Sequence, residues 1–279
     1  MTGTVDLGEL AGPVLVCGGA YGNLEALLAL DQVAGELGIR PQDIIHSGDV
    51  AAYCASPERA ARLVRNRGWQ AIKGNVEEQL AAGGDDCGCG FAAGSRCNVL
   101  SRQWYSYCDR ALSPRSRAWM GRLPARLVFW LAGRRFVVVH GSVSETGKYM
   151  FESLPQAAFE AEMDLLDCDG VIAGHTGLAF TRVINGRVWH NSGALGMPAN
   201  DGTVRVWYSL MTVRDDAIEF SHHGLFYDYQ ATVGKMRTCG LPEDYARALE
   251  SGLWPALDIL PQRETAAAGV RRQPGSVMF

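Results

Sequence analysis

Four times along this chain an apolar run of strand character ends in a short turn that delivers a side chain with ligating ability. The runs cover residues 44–49, 72–75, 136–140 and 171–175, and they end in Asp49, Asn75, His140 and His175. Such strands belong to α/β sheets, which gather ligands at the carboxyl ends of their strands. Each residue alone has a structural explanation: Asp49 caps the following loop, Asn75 makes a turn, and each His is hydrogen-bonded at a strand end. Two of only six histidines in this pattern, beside a carboxylate and an amide oxygen, point instead to one metal centre. A mixed oxygen and nitrogen set suits Mn, Fe or Zn better than Mg.

The alternation around these turns sets the fold class. Residues 14–17 form a strand before a helical pattern over 23–37, residues 57–67 are helical, and 69–73 form a short strand. Further on, 100–112 reads as an amphipathic helix, and 127–131 with 135–140 as a hairpin turning at Gly133-Arg134. A helix over 155–167 precedes strands at 170–173, 180–184 and 187–191, then a hairpin of 203–213 with 217–221 around Asp215-Asp216. The segment 241–260, with Trp254 and Pro255, reads as a packing helix without catalytic content. The expectation is a layered α/β sandwich with mixed β-sheets flanked by helices. It forms one domain over 1–261, with a cysteine-containing loop at about 83–98 and a mobile tail over 262–279.

Composition narrows the partners. With 47% hydrophobic residues the chain can bury a sizeable core, and its net charge of −4 excludes a broad footprint for nucleic acid or an anionic membrane. No apolar run is long enough to span a bilayer and the N-terminus has no export pattern, so the reading is cytoplasmic, with the eight cysteines reduced. Cys17 and Cys168 lie in apolar stretches as core residues. Cys87 and Cys89, with Cys97 following and Cys54 from the loop after Asp49, form a candidate second metal or redox cluster, although such spacings also occur in incidental loop thiols. His46 and His190 flank strand ends, and His222 and His223 lie in the late hairpin; core or surface roles suit all four.

The ordered blocks Gly48-Asp49, Gly74-Asn75, His140-Gly141 and Gly174-His175 resemble the motifs of the calcineurin-like metallophosphoesterase superfamily over roughly residues 13–215. GDVAAYCASPERAARLV and NSGALGMPANDG are similar to segments of its bacterial YfcE-like branch. The resemblance implies a phosphoesterase with two metals about 3.5 Å apart. It places Asp49 on the bridging carboxylate and Asn75, His140 and His175 on the remaining ligands of one metal.

The other metal's own positions differ. The opening D-x-H-G-N reads Gly19-Ala20-Tyr21-Gly22-Asn23, the closing G-H-x-H ends at Gly177, and the acid His of G-N-H-[DE] is Val76, followed by Glu77. One divalent transition metal is therefore expected rather than two. The resemblance implies hydrolysis of a phosphomonoester, phosphodiester or nucleotide; the alternative is an impaired protein that binds a phospho-ligand or metal without turnover. Tyr21 stands as a further candidate, hydrogen-bonding a phosphate, binding a ferric ion if deprotonated, or filling space. Asn23 and Arg182 are candidate substrate contacts, and Glu77 a candidate support for the ligands.

Overall fold

The computed structural model describes residues 3–279. Two six-stranded mixed sheets stack face to face. The first runs in the order β1 (Thr4–Leu10), β5 (Arg126–Leu131), β6 (Arg134–Val138), β7 (Gly170–Ala173), β9 (Arg187–Ser192), β8 (Ala179–Ile184). The second runs β12 (Val277–Met278), β11 (Ala217–Leu225), β10 (Val206–Arg214), β2 (Val14–Cys17), β3 (Ile44–His46), β4 (Gln70–Ala71).

Side-chain parity explains the layers, because successive strand residues point to opposite faces. Val14 and Val16 of β2, Ile45 of β3, Phe136 and Val138 of β6 and Ile172 of β7 meet in the core between the sheets. Leu15, Cys17 and Ile44 face the other way, into a core shared with α1 (Leu24–Glu36), α2 (Pro57–Arg67) and α4 (Arg96–Ala111). Val137, Val171 and Ala173 pack under α6 (Gln156–Met163). The central strands are buried on both faces and so appear as continuous apolar runs. The layered sandwich with mixed sheets is as the sequence implied.

Several boundaries differ. The β5–β6 turn is Ala132-Gly133, one residue earlier than expected, because both residues adopt positive φ, as a two-residue hairpin turn requires. The expected 241–260 helix is α8 (Glu243–Ser251), ended by Gly252 at φ 73°. The cysteine loop stops at Ser95, whose hydroxyl caps α4, so Cys97 is helical. Helices α3 (Asn75–Ala82), α5 (Pro114–Arg122) and α7 (Tyr229–Thr238) and the edge strand β1 were not expected.

The segment 262–279, expected to be a mobile tail, carries α9 (Gln262–Ala266) and β12, which pairs antiparallel with β11. Its anchor is Phe279, whose ring lies 6.5 Å from that of Phe136 and 6.4 Å from that of Phe220. A single terminal aromatic leaves no periodic signal. Among the described residues, no helix is long and apolar enough to cross a membrane.

Candidate metal centre

The C-terminal ends of β3, β6 and β7 converge at one edge of the sandwich. Asp49 follows β3, His140 follows β6, and His175 follows β7; all three are buried. Their ligating atoms lie within 4.8 Å of one another, and among the described residues they are the one group of this kind. Asp49 and His175 sit at φ 60° and 61°, a left-handed conformation that costs non-glycine residues about 1–3 kcal/mol each and gathers at functional sites. Glycine makes the close approach possible. A Cβ on Gly48 would lie 2.6 Å from His140 Nδ1, and one on Gly74 would collide with the Asp49 carboxylate.

Hydrogen bonds fix each side chain. His140 Nδ1 lies 2.6 Å from the Ser47 carbonyl, which makes Nδ1 the protonated nitrogen and leaves Nε2 facing the cluster. That Nε2 is 3.2 Å from Asp49 Oδ2 and 3.2 Å from His175 Nδ1. One proton on Nε2 can satisfy only one of these neighbours. Metal bonds of about 2.0–2.1 Å place adjacent ligands roughly 3.0–3.4 Å apart, so the observed spacing suits a cation that replaces the missing protons.

Asn75 opens α3 after Gly74. Its Nδ2 donates to the Cys87 carbonyl at 2.8 Å and to Cys89 Sγ at 3.3 Å, while its buried Oδ1 has no partner. Such an orphaned acceptor is expensive unless something occupies it. The triad of Asp49, His140 and His175, with the unpartnered Asn75 amide oxygen, thus fits a metal ion.

Electrostatics match this geometry. Burial opposes the Asp49 charge, yet His140, His175 and the Val76 N–H hold its carboxyl below the ordinary value. Burial lowers His140, but Asp49 and the Ser47 carbonyl outweigh it and raise the imidazole to about 8. Burial and the His140 charge push His175 down to about 3. Burial and Asp49 raise Glu77 to about 7. Glu77 Oε2 accepts the Asp49 N–H at 2.7 Å and the Gly74 N–H at 2.9 Å, and Oε1 accepts the Val50 N–H at 2.8 Å. It ties the Asp49 loop to the first turn of α3.

The other candidates are placed as follows. Tyr21, at φ 53°, folds its ring over Gly19, so that a Cβ on Gly19 would strike the ring, with Oη at 2.8 Å. A Cβ on Gly177 would touch the Trp254 ring at 3.4 Å, an ordinary van der Waals contact. Aromatic rings therefore cover both glycines that stand where the resemblance has ligands. Burial, with the Asp49 charge, holds the Tyr21 phenol well above its ordinary value, which does not suit a phenolate ligand.

Asn23 is corrected. Its side chain caps α1, donates to the Gly196 carbonyl and the Tyr227 hydroxyl and accepts from Thr232, which leaves nothing for a substrate. Arg182 is corrected too. On β8 it donates to the carbonyls of Glu152 and Leu154 and lies 4.6 Å over the Phe159 ring, outside the site. Cys54, Cys87, Cys89 and Cys97 do not form a metal cluster among the described residues. Cys87 and Cys89 instead orient Asn75, whereas Cys54 is buried against the Gly196 carbonyl. All eight thiols are free.

Beside the triad lies a cavity of about 70 Å³ walled by Tyr21, Tyr53, Phe91, Tyr149, Tyr245 and Trp254. Tyr149 stacks on His175 with centroids 4.2 Å apart. The segment read as mere packing thus reaches the site through Tyr245 and Trp254. Tyr53, Phe91, Tyr149 and Met197 went unrecognised because isolated residues in loops carry no pattern.

Comparison with known proteins agrees with this architecture. A metallophosphoesterase from Sphaerobacter thermophilus superposes with a TM-score of 0.67 at 23% identity, covering 88% of this chain and 100% of that one. A hypothetical protein from Pyrococcus horikoshii OT3 gives 0.74 at 18% identity, covering 87% and 99%. Both likenesses concern the fold. Comparison with curated proteins finds no match. The model of the calcineurin-like phosphoesterase superfamily domain matches residues 25–216, more than half of the 279 residues, and the chain therefore belongs to that superfamily.

Proposed function

We propose that the protein is a metal-dependent phosphoesterase that works with one divalent transition metal, held by Asp49, Asn75, His140 and His175. The observation that carries this reading is the convergence of three lone-pair atoms, with 3.2 Å from His140 Nε2 to each of the others, on too few protons. When bound, such a metal supplies Lewis acidity at a phosphoryl oxygen and makes a nearby water more acidic.

The chain's own residues hold the geometry. Ser47 fixes the His140 ring, Glu77 fixes the Asp49 loop, and Tyr149 fixes His175 by stacking. Asn191 Nδ2 donates to the Gly174 carbonyl and the Thr176 hydroxyl, which sets the turn that presents His175. The substrate is a small phosphorylated molecule, and the eight free thiols accord with a reducing, cytoplasmic setting.

The ring of Tyr21 over Gly19 supports one metal rather than two, and with it the degenerate character of the site, while GDVAAYCASPERAARLV and NSGALGMPANDG support a YfcE-like branch. The family match begins at residue 25, beyond that altered block. The same ring favours a second reading, a protein that binds a phospho-ligand without turnover. Metal analysis of the purified protein tests both: close to one Mn, Fe or Zn per chain is expected, lost with His140→Ala, together with metal-dependent cleavage of generic phosphoesters. One bound metal without cleavage selects the second reading, and metal content unchanged by His140→Ala refutes both.

A further inference from the structure

We infer that the cavity beside the triad takes the leaving group of a phosphodiester, and that this group is a single aromatic ring on a phenol-like oxygen. The inference rests on the phosphoesterase reading, but its physical basis is separate. It begins with what replaced the other metal's ligands.

Gly19 and Gly177 are covered by the rings of Tyr21 and Trp254, so half of an ionic site has become an aromatic wall. The wall is continuous. Tyr53 meets Tyr21 edge-on at 4.9 Å and 85°, and packs against Tyr245 at 4.7 Å and 51°. Met197, Ala194 and Ile259 close the remainder. Rings in such edge and tilted arrangements leave faces and edges for another ring.

Size and charge narrow the ligand. At about 70 Å³ the cavity is roughly half the size of the apolar cavity of about 150 Å³ that takes up benzene, so it has room for at most one ring. No Lys or Arg lines the cavity, and Asp49 already places a carboxylate there. A phosphodiester brings one negative charge, whereas a monoester or polyphosphate brings more that this lining leaves unpaired.

The missing acid points the same way. Val76 is buried and apolar, so it offers no proton to a departing alkoxide. An aryl oxygen needs none, since a phenol with pKa near 10 leaves as its anion far more readily than an alcohol. In the step implied, a water oxygen forms a bond to phosphorus and releases its proton to solvent. The bond from phosphorus to the aryl oxygen breaks, and its electron pair departs on that oxygen. The products are a phosphomonoester and a phenolate.

The test uses the full chain loaded with manganese and two uncleavable monoanions, diphenylphosphinate and dimethylphosphinate, by isothermal titration. Diphenylphosphinate is expected to bind at least about tenfold more tightly, the worth of one good aromatic pair. Phenylphosphonate at pH 8.5, with its second charge, is expected to bind more weakly than diphenylphosphinate. Ala256→Trp, at the half-buried cavity lining, should erase the aryl preference. The ratio of kcat/KM for phenyl over methyl diesters should fall by a similar factor in that variant.

Equal binding of the two phosphinates overturns the inference even if phosphodiesters are cleaved, and the phosphoesterase reading then stands. Aryl-selective binding without any turnover overturns that reading and leaves the cavity assignment intact. Tight phenylphosphonate binding refutes the single-charge requirement. The phosphinate pair on the unaltered chain decides the matter should Ala256→Trp fail to fold.

Discussion

Glu162→Gln is expected to destabilise the protein at neutral pH by about 2–3 kcal/mol, and to loosen the site from a distance. Glu162 lies on α6 with 3% of its side chain exposed. Its carboxylate accepts the Val143 N–H at 3.0 Å, the Ser144 N–H at 2.8 Å and the Ser144 hydroxyl at 2.7 Å, and it pairs with Lys148. These residues form the loop that leaves His140 and ends at Tyr149, the ring stacked on His175. One buried carboxylate therefore holds the loop between His140 and the ring that stacks on His175.

The magnitude follows from its acidity. Burial opposes the charge, but the bonds from Lys148 and Ser144 hold the carboxyl down at about 2, against an ordinary 4.5. At about 1.36 kcal/mol per unit this gap is roughly 3 kcal/mol, less a discount for Lys148, whose side chain is 43% exposed. The folded value is depressed, so the stabilisation is present above pH about 4.5 and lost as pH falls toward 2. Urea unfolding at pH 7, 5 and 3 should show wild type and Glu162→Gln separated by roughly 1 M in midpoint at pH 7 and by about half of that or less at pH 3. A gap that stays constant with pH refutes the assignment of the stabilisation to this carboxylate.

Other consequences are open to direct measurement. Gly19→Asp alone should cost about 1–3 kcal/mol by collision with the Tyr21 ring, whereas the double variant with Tyr21→His should relieve that strain and raise metal content from about one toward two; a ratio fixed near one counts against the covering role of Tyr21. Phe279→Ala should cost about 2 kcal/mol and speed hydrogen exchange at Ile218, whose N–H bonds the Phe279 carbonyl at 2.8 Å, and unchanged exchange would argue for a loose terminus. Chelation should lower the melting temperature of metal-loaded protein, by the equivalent of about 2.7 kcal/mol for metal at 100 times its Kd, and have no effect on His140→Ala.

The fold was legible where burial is two-sided. Val14–Cys17 and Phe136–Val138 are apolar at every position because each face has a partner layer, and such runs announce themselves. Strand β1 was hidden because it is an exposed edge, held by parallel backbone pairing with β5, so its sequence TVDLGEL needs no apolar face. Helix α5 was hidden by its arginines, since only Ser116 and Met120 are buried. Helix α3 was hidden because it begins at Asn75 itself, where the turn signal of Gly74 dominates.

The site divides along the same physical line. Asp49, Asn75, His140 and His175 were legible because each follows its own strand, so local sequence carries both position and chemistry. The cavity wall draws Tyr53, Tyr149, Tyr245 and Trp254 from four separate segments, and none has a neighbour in sequence that explains it. What the glycines meant was legible only in part. As losses, Gly19 and Gly177 suggest a decayed metal site, and decay would leave polar, water-filled space. The rings of Tyr21 and Trp254 stand in that space, and Tyr21 is only 7% exposed. The Tyr21 ring fits only because Gly19 beneath it has no side chain, whereas Trp254 lies in van der Waals reach of Gly177. The absence of a ligand and the presence of a ring are therefore a single steric arrangement, and a site built this way selects a different occupant.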